Sequence, residues 1–584
     1  MGGSKYCLLI SVILFIESIR ASVIVNTDLG KVDGVEVKSI IKDEKFYSFM
    51  GIPYGKAPVG ELRFRAPEPR ESWTDVLNAK KEKLPCTQFN LPIRNIKNYG
   101  VFGQEDCLHL GIHTPKLPNA NEFLNLPVVV FLYNEMFRVS HNGTRDFGPD
   151  FFVKEDVVLV MISHRLAASG FLAYEDEVLP GNNGIRDVIL ALKWIQRNIH
   201  KFGGNGSNIT LMGSEGGAAL VEILLHSPKA EGLFSRVILQ SGTLFDSSYF
   251  PKSPKHKTTQ LLKYLDKSSI TSTYTLKELS SLTPEEIALA EPESVDADEG
   301  RAYQRPKVQF GPVIEPNHPD AIITKLPEDG PLNINIPVMI GYNSRGSLEM
   351  AERFLYRPQY LSTADRDFLL LFPIRDDFHF EINSQVYFQG VKDIKKFYFE
   401  EEYIKISKPG EYLTYTNDML YFYAIDYAVR KYVNESNSAV YYYTFDYSGE
   451  LNMRKNDILK NANTIEGTWG ATMGDELCYL FVCKRIKNTY KKVLADVESE
   501  ELKVLRNMIK MWTNFAKFGN PTPPGSDFIW TPATKEKKEC LVISDKLKIE
   551  NNLHQDRIDF WDDFMAKYKA MAVDGVIKDI KDEL

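Results

Sequence analysis

Histidine and long apolar runs are scarce in this chain. Only 10 of its 584 residues are histidine, and none lies between His379 and His554, so that stretch offers no imidazole for acid–base chemistry. No run reaches about 18 uninterrupted apolar residues, the length that indicates a membrane-spanning helix. The sequence therefore predicts no membrane span, and any chemistry in that stretch must proceed without a histidine base.

Basic residues are neither in excess nor clustered. Lys and Arg number 70 against 78 Asp and Glu, which gives a net charge of −8. A nucleic-acid surface normally carries a dense basic block, so no nucleic-acid partner is predicted. Cysteine is also sparse at six residues, and Cys478 and Cys483 lack zinc-ligand spacing. No metal and no cofactor are predicted.

Both ends of the chain resemble targeting signals. Lys5 precedes an apolar run, Tyr6 to Ile16, which is too short for a membrane span and typical of a secretory signal over residues 1–21. The last four residues, Lys581, Asp582, Glu583 and Leu584, form a retention signal that the KDEL receptor reads. The sequence therefore predicts residence in the lumen of the endoplasmic reticulum.

Sequons and cysteines are consistent with that compartment. Glycosylation signals begin at Asn142, Asn205, Asn208 and Asn434, although Asn205 and Asn208 are too close for both to be expected to carry sugar. Cys7 lies in the signal segment. Cys478, Cys483 and Cys540 remain, so at least one thiol is free unless it pairs between chains. Cys478 and Cys483 are interpreted as buried apolar residues or as a weak disulfide candidate.

Buried strands alternate with amphipathic helices along the chain. Apolar runs predict strands of a mostly parallel sheet at 128–132, 157–163, 209–212, 236–242 and 338–342. Apolar spacing predicts long helices at 184–201 and 498–518. The polar stretch 252–305 is interpreted as an insertion over the mouth of a pocket.

One strand leads into a sharp turn of recognisable form. Strand residues 209–212 are followed by Gly213, and Gly217 stands four positions further on. This strand, Gly-x-?-x-Gly turn and helix start are typical of a hydrolase nucleophile elbow, whose apex carries the attacking side chain. The apex here is Glu215. A carboxylate attacks esters far more weakly than a serine hydroxyl does, so the turn and its apex predict different chemistries.

Long motifs resemble the type-B carboxylesterase and cholinesterase family over nearly the whole mature length. They are FMGIPYGKAPVGELRFRAPEP (49–69), EDCLHLGIHTP (105–115), SHRLAASGFLA (163–173), GNNGIRDVILALKWIQRNIHKFGGN (181–205), RVILQSG (236–242), FGPVIEP (310–316), WTNFAKFGNPTP (512–523) and FWDDF (560–564). The resemblance implies an α/β-hydrolase fold, with a large, mostly parallel sheet and helices on both faces. It also implies one such domain over 22–565, followed by a tail over 566–584.

The resemblance implies three further features. Cys86 and Cys107 match the first disulfide of the family. The helix at 498–518 matches a region that forms dimer contacts in related esterases, which makes a homodimer a candidate state. The spacing to the elbow is unbroken, so Ser214 is not in register as a nucleophile, and we expect it to be a surface or helix-start hydroxyl.

The rest of the family's catalytic triad is replaced. The acid position falls on Gly346, or on Arg345 if one residue is deleted, and the nearest carboxylate, Glu349, is out of register. The histidine position falls on Met473 within an otherwise matching segment. Glu215, Gly346 and Met473 therefore occupy the three positions, and no intact catalytic residue is predicted.

The family's oxyanion turn is replaced as well. Its His-Gly-Gly-Gly-Phe motif falls on Tyr133 to Phe137, so Asn134, Glu135 and Met136 occupy the glycine positions. Those glycines allow backbone N–H groups to approach the developing oxyanion, and one lost donor typically costs about 100- to 1000-fold in rate. The long side chain of Arg345 suggests a pairing with Glu215 across the vacated triad. The alternative is that each charge finds water or another partner.

Three classes of function remain open from the sequence. The favoured one is a catalytically inactive carboxylesterase-like protein of the endoplasmic reticulum that binds an apolar small molecule or a luminal protein. The second is an active carboxylic ester hydrolase that uses an unrecognised site. The third is a cholinesterase-like adhesion protein, since inactive members of the family serve at cell surfaces.

Overall fold

A central sheet of 14 strands organises the chain in the computed structural model. The structure describes residues 22–579, apart from 91–99, 120–122, 142, 252, 268–270, 295–298, 306–309, 331 and 333–334. The predicted signal segment over 1–21, the sequon residue Asn142 and the terminal residues 581–584 lie outside the described residues.

The described strands range from two to twelve residues. In chain order they are β1 (Ser22–Asn26), β2 (Lys31–Lys38), β3 (Lys45–Pro53), β4 (Leu77–Asn78), β5 (Gln88–Asn90), β6 (Gly100–Phe102), β7 (His109–Thr114), β8 (Leu126–Glu135), β9 (Val139–Ser140), β10 (Phe147–Gly148), β11 (Val158–Ile162), β12 (Gly204–Glu215), β13 (Arg236–Gln240), β14 (Val338–Asn343), β15 (His379–Phe380), β16 (Val440–Phe445), β17 (Val482–Cys483), β18 (Cys540–Ile543), β19 (Leu547–Glu550) and β20 (Val576–Ile577).

The α-helices connect and cover these strands. They are α1 (Asp150–Lys154), α2 (Ala167–Phe171), α3 (Asn183–Asn198), α4 (Gly216–His226), α5 (Pro254–Tyr264), α6 (Ser272–Ser280), α7 (Pro284–Glu293), α8 (Glu299–Ala302), α9 (Glu352–Tyr356), α10 (Tyr360–Arg366), α11 (Gln385–Tyr398), α12 (Pro409–Asn417), α13 (Tyr423–Glu435), α14 (Met453–Leu459), α15 (Lys487–Ala495), α16 (Glu500–Phe518) and α17 (Gln555–Lys569).

The order of the strands places a switch point at β8. The main path of the sheet is β1-β2-β3-β7-β11-β8-β12-β13-β14-β16-β18-β19, and the run from β11 to β18 is parallel throughout. From β8 the chain moves to β11 on one side and then to β12 on the other. Ligands in open α/β sheets bind beyond the carboxyl ends of strands at such a reversal. The fold therefore directs attention to the ends of β8 and β12.

Alternating side chains on the central strands enter two separate cores. Along β8, Val128, Val130 and Leu132 join one buried cluster, whereas Val129 and Phe131 join the other. Helices α3, α4, α13 and α17 contribute to the first core, and α16 contributes to the second. Burial of both faces explains why these strands are continuous apolar runs rather than alternating ones. The sheet and its two helical layers confirm the predicted fold class.

Most of the predicted elements are present. The five predicted strands coincide with β8, β11, β12, β13 and β14, and the two predicted helices coincide with α3 and α16. The Cys86–Cys107 disulfide is present. A second disulfide joins Cys478 and Cys483, which settles a pairing that the sequence left open, and Cys540 is a buried free thiol. Within the part of the chain that the structure covers, no helix combines the length and apolarity needed to cross a membrane.

Candidate functional site

The predicted elbow lies at the carboxyl end of β12, where the chain turns into α4. Glu215 adopts φ 57° and ψ −127°, a region that residues other than glycine rarely occupy. A strained strand-to-helix turn of this kind is typical of the nucleophile elbow. The structure therefore places Glu215 at the apex that the sequence indicated, in the backbone conformation of a nucleophile but with a carboxylate side chain.

Close backbone packing explains the two glycines that flank the apex. A Cβ on Gly213 would lie 2.3 Å from the carbonyl oxygen of Gly217, and a Cβ on Gly217 would lie 2.3 Å from that of Leu132. Real Cβ atoms do not approach this closely, so larger residues would force α4 away from β8 and β12. The elbow retains its packing requirement although its apex no longer carries a hydroxyl.

Ser214 is not the surface or helix-start hydroxyl that the sequence suggested. It is the penultimate residue of β12, pairs with Tyr133 on β8, and is fully buried. Its Oγ has no hydrogen-bond partner among the described residues. The strand alternation that exposes the apex turns the preceding side chain away from it, so Ser214 is inaccessible as a nucleophile.

The segment expected to form an oxyanion turn instead extends β8 into a short hairpin. Asn134 and Glu135 are the last residues of β8 and pair with Ser140 and Val139 of β9. Met136 follows at φ 49°, so the chain still reverses through a left-handed conformation that favours glycine. The chain therefore reverses at Met136 with side chains at the three positions that the motif fills with glycine.

Asn134 packs against the residue that follows the apex. Its Oδ1 accepts a hydrogen bond of 2.9 Å from the backbone N–H of Phe137. The same oxygen lies 2.1 Å from the point that a Cβ on Gly216 would occupy. Gly216 follows the apex, and in hydrolases of this architecture the N–H of that residue forms part of the oxyanion hole. An amide side chain therefore packs against the backbone that a substrate oxyanion would need to reach.

The cation beside Glu215 is Arg454, from the first turn of α14. Its Nη1 lies 3.2 Å from Glu215 Oε1 and 3.7 Å from Glu349 Oε2. Its Nη2 lies 2.7 Å from Glu135 Oε1 and also donates to the hydroxyl of Tyr133. We call these five residues the Arg454 cluster. One guanidinium thus holds three carboxyl groups from three separate parts of the chain.

The members of the Arg454 cluster differ in depth and in protonation. The Glu215 side chain is only 4% exposed, against 32% for Glu135. Burial raises the pKa of Glu215 well above its ordinary value, and the neighbouring Glu135 and Glu349 add to the rise. Burial would also raise the pKa of Glu135, but Arg454 and Tyr133 outweigh it and hold that pKa below the ordinary value. Glu215 therefore takes up a proton more readily than Glu135 does.

A buried aspartate positions Arg454. The Oδ1 atom of Asp475 accepts hydrogen bonds from the backbone N–H groups of Arg454 and Lys455, at 3.0 and 3.2 Å. Its Oδ2 accepts one of 2.9 Å from the N–H of Thr472. Asp475 lies two residues after Met473, so the segment that matches the family's histidine motif anchors the helix that carries the new cation.

Arg345 does not pair with Glu215, and that prediction was wrong. Its Nε donates a 2.8 Å hydrogen bond to the carbonyl oxygen of Gly467, and its Nη1 lies 3.5 Å from the hydroxyl of Thr414. Its N–H donates to Ala471 O, which fixes the backbone after β14. The side chain is directed to the 414–467 region by these acceptors, and Arg454 supplies the charge that the hypothesis assigned to it.

The other two triad positions lie close together but carry no acid or base. The backbone N–H of Met473 donates to the carbonyl oxygen of Gly346. A Cβ on Gly346 would lie 3.0 Å from the ring of Tyr421, so little space is left for an acidic side chain. Glu349, which seemed out of register, reaches the site because a short 3-10 turn over Gly346–Glu349 brings it round to Arg454.

A cavity of about 370 Å³ opens beside Glu215, a volume typical of small-molecule sites. Its lining comprises apolar, acidic and hydroxyl side chains: Glu135, Met136, Arg138, Val139, Glu215, Ser241, Gly242, Thr243, Asp246, Ser248, Tyr249, Glu349, Met350, Leu420, Tyr421, Ile425, Arg454 and Met473. Leu420 and Tyr421 belong to a π-helical turn, Asp418–Phe422, between α12 and α13, and such turns are frequent at functional sites. No histidine is among the described residues of this lining.

The stretch 252–305 does not cover this cavity, contrary to expectation. It folds into α5 to α8, and none of its described residues lines the cavity. Pro284, Ile287 and Glu291 of α7 instead line a smaller cavity beside the Cys86–Cys107 disulfide. The polar residues of the stretch 252–305 thus belong to helices and not to a cover over the cavity at Glu215.

A second cavity, of about 590 Å³, shares Glu135, Glu349 and Arg454 with the first. It also contacts the Cys478–Cys483 disulfide and His141. The two cavities therefore meet at the Arg454 cluster.

Arg454 was missed because no motif marks it. A buried carboxylate at the apex requires a cation nearby. The chain has 70 lysines and arginines, however, and this requirement does not indicate which of them lies beside Glu215. Tyr133 and Glu349 were visible in the sequence but had no assigned role.

Of the sequons, Asn434 is exposed near the end of α13, whereas Asn208 accepts a hydrogen bond from Arg236. Within the described part of the chain, no group of three or more His, Cys, Asp or Glu side chains is arranged to hold a metal ion.

Comparisons with known proteins agree on the family that this chain resembles. A model of the carboxylesterase family matches residues 21–561. Juvenile hormone esterase of Tribolium castaneum is 28% identical over 576 residues, covering 92% of this chain and 93% of that protein. Esterase FE4 of Myzus persicae is 30% identical over 541 residues, covering 91% and 92%. Among solved structures, juvenile hormone esterase from Manduca sexta, with OTFP covalently attached, superposes with a TM-score of 0.75 at 25% identity, covering 94% of this chain and all of that one.

Proposed function

Because the chain belongs to the carboxylesterase family, we propose that it is a member that binds a small molecule at the former hydrolytic site without cleaving it. The observation that carries the proposal is the exchange at the elbow. The apex keeps its strained backbone, while its side chain is a carboxylate held in the Arg454 cluster. The backbone conformation at the apex is that of a nucleophile elbow, but the Glu215 carboxyl group does not act as a nucleophile.

The site lacks the residue that each step of ester hydrolysis requires: a nucleophile, a base and oxyanion donors. Glu215 attacks carbonyl carbon poorly, Met473 cannot accept a proton, and the side chain of Asn134 packs against Gly216, with Asn134, Glu135 and Met136 at the glycine positions of the oxyanion turn. Removal of any one such element costs orders of magnitude in rate. The combination supports loss of hydrolysis rather than a change of ester.

The cavity itself supports a binding role. Its apolar lining includes Met136, Met350, Leu420, Ile425 and Met473. Methionine side chains are flexible and polarisable, so they adapt to ligands of irregular shape. An enclosed apolar volume with a few fixed polar groups is the usual form of a small-molecule site.

We also propose that the protein resides in the lumen of the endoplasmic reticulum and binds the KDEL receptor. The N-terminal apolar run and the terminal Lys581 to Leu584 support this. Deleting the last four residues should release the protein into the medium. Efficient secretion of the intact chain, unchanged by that deletion, would contradict the proposal.

The binding proposal is tested with the purified full-length protein. We expect turnover of a short-chain nitrophenyl ester well below about 1 per second, the low end for ordinary enzymes, and no covalent labelling by an organophosphate probe. Faster turnover that Ser214→Ala abolishes would contradict the proposal.

Ligand binding is followed in parallel with an apolar fluorescent dye. Met350 lines the cavity and is 56% exposed, so Met350→Trp should narrow the mouth and weaken dye binding without unfolding the chain. Met571, 43% exposed and outside the cavity lining, gives the matched control Met571→Trp, which should bind the dye normally. Equal binding by both variants would exclude this cavity as the site.

A further inference from the structure

Acidic and basic side chains do not balance around the cavity at Glu215. Among the described residues of its lining, four are carboxylic acids and two are arginines. The acids are Glu135, Glu215, Asp246 and Glu349, and the arginines are Arg138 and Arg454. A buried surplus of carboxyl groups is costly unless protons or cations are taken up.

Arg454 is not disposed to hold an anionic ligand. Both of its terminal nitrogens already contact carboxylates, and one also donates to Tyr133. Arg138 also lines the neighbouring small cavity, where it lowers the pKa of the buried Glu291 against a larger rise that burial causes. A ligand carboxylate beside Glu215 would thus meet engaged donors on Arg454 and a surplus of like charge.

Burial raises the pKa of both acids at the deep end of the cavity. The pKa of Glu215 lies well above its ordinary value although Arg454 opposes the rise, and that of Asp246 is raised against the hydrogen bonds from Ser248 and the charge of Arg375. The groups that face Glu215 from every neighbouring element are Tyr133 and Glu135 on β8, Tyr249 after β13, Glu349 after β14, Tyr421 before α13, Arg454 on α14 and Glu476 after Met473. Only one of these carries positive charge.

Acceptors other than carboxylates also line the cavity. Ser241 is 3% exposed and lines the cavity, and its Oγ has no hydrogen-bond partner among the described residues. Tyr249 and Tyr421 add aromatic rings whose faces attract cations. An unpartnered buried hydroxyl is costly, and a ligand N–H donor would satisfy it.

We propose that the ligand of this cavity is an amphipathic amine, with its ammonium group among Glu215, Asp246 and Ser241 and its apolar body against the methionine-rich wall. This inference rests on the binding function proposed above and specifies the ligand class. No covalent bond forms. The ammonium ion enters charged, and the carboxyl group of Glu215 releases its proton to the solvent, so the charge within the cavity stays nearly constant.

The direction of the pH dependence follows from this proton balance. A bound cation favours the ionised form of Glu215, so it lowers the pKa of that carboxyl. Binding therefore releases protons, and affinity rises with pH until the amine itself begins to lose its charge. A neutral ligand of the same shape should show no such dependence.

Three probes with one apolar body test the proposal: octylamine, octanol and octanoate, measured by calorimetry on the full-length protein. We expect octylamine to bind at least about tenfold more tightly than octanol and octanoate to bind most weakly. Repeating the amine titration in buffers with different ionisation enthalpies should reveal proton release.

Two matched variants isolate the carboxyl group responsible. Glu215→Gln should reduce octylamine affinity toward that of octanol and abolish proton release. Glu291→Gln removes another buried acid, whose pKa burial raises to about 7, outside this cavity, and should change neither. A fold equal to wild type is checked by circular dichroism for both.

The outcomes separate this inference from the binding function. Equal affinity for octylamine and octanol, or tighter binding of octanoate, would overturn the amine inference and leave the binding function standing. Binding of none of the three probes would overturn both. Proton release that persists in Glu215→Gln would overturn the assigned role of Glu215.

Discussion

Two arginines of this protein, one buried and one half-buried, neutralise carboxylates in different ways. Arg165 binds Asp187 through two parallel hydrogen bonds, of 2.8 and 2.6 Å, and the two side chains are 3% and 0% exposed. Arg454 is 20% exposed and divides its donors among Glu135, Glu215 and Glu349. The first is one cation for one anion in a closed core, and the second is one cation for three acids beside a cavity.

The difference distinguishes a structural ion pair from a candidate binding site. A matched bidentate pair satisfies both charges and leaves nothing for a ligand. The Arg454 cluster has three carboxyl groups for one cation, and the pKa values of two of them are displaced in opposite directions. Burial raises the pKa of Glu215, whereas Arg454 lowers that of Glu135 against the effect of burial. Opposed shifts in neighbouring acids mark places where protons or ligands are exchanged.

The largest expected effect is on the closed pair. Arg165→Met would leave Asp187 buried without its cation, and we expect a loss of about 3–5 kcal/mol in the free energy of unfolding, measured by urea denaturation. Arg165→Met with Asp187→Leu should recover much of it. The exposed pair of Arg366 and Asp367 supplies the control Arg366→Met, which should produce no measurable change. A negligible effect of Arg165→Met would show that this pair is not the structural one.

A smaller and pH-dependent effect is expected at Arg454. Arg454→Met should cost about 1–3 kcal/mol at neutral pH, because the cluster borders cavities and its acids can take up protons. Without the cation, the folded-state pKa of Glu135 is no longer held low, so the stability that its ionised form contributes above its unfolded pKa disappears. The deficit should therefore shrink as pH falls below the unfolded pKa of Glu135, about 4.3, and through its lower folded-state pKa. A loss that equals that of Arg165→Met and is constant with pH would remove the distinction.

Removing the acid at the apex should stabilise the fold slightly. The folded pKa of Glu215 lies above its unfolded value, so its contribution is fully present at low pH and is lost as pH rises through the folded pKa. Glu215→Gln avoids that loss, and we expect a gain of about 1 kcal/mol near pH 8 that vanishes near pH 4. Asp187→Asn, the equivalent change in the closed pair, should destabilise instead. A loss at pH 8 in Glu215→Gln would show that its charge is needed.

The strands of the sheet and the glycines of the elbow could be predicted from the sequence. The strands are continuous apolar runs because both faces of the sheet are buried, and the elbow register is fixed by Gly213 and Gly217, which no larger residue can replace. Losses at known positions were equally legible, since Met473 and Gly346 stand within matching motifs. These features are local in the chain or tied to fixed spacing.

Features that arise from long-range packing were not predictable. Arg454 and Glu215 are 239 positions apart in the sequence and form a hydrogen bond in the fold. Asp475 holds the backbone of Arg454 in place, and no sequence pattern predicts that contact. The hypothesis chose Arg345 because it adjoins a vacant position, but that side chain is drawn to the carbonyl oxygen of Gly467. Direction of a long side chain depends on nearby acceptors, and sequence adjacency does not supply them.

The smallest expected effect is the most informative about the origin of the Arg454 cluster. Glu215→Ser restores the apex hydroxyl, yet hydrolysis of a nitrophenyl ester should stay at background because Met473 cannot accept the proton. Adding Met473→His and Gly346→Glu should still give little, since a side chain at 346 meets the Tyr421 ring at 3.0 Å.

Replacing Asn134, Glu135 and Met136 with glycine in that triple variant should give the first measurable rate. Asn134 then no longer packs on Gly216, and each recovered oxyanion donor is worth about 100- to 1000-fold. The same three glycines without Glu215→Ser provide the control and should be inactive. Strong hydrolysis by the single serine variant would mean that a base survives near the elbow. In that case the Arg454 cluster would be an addition to a working site, and the contrast with the closed Arg165 pair would have to be drawn differently.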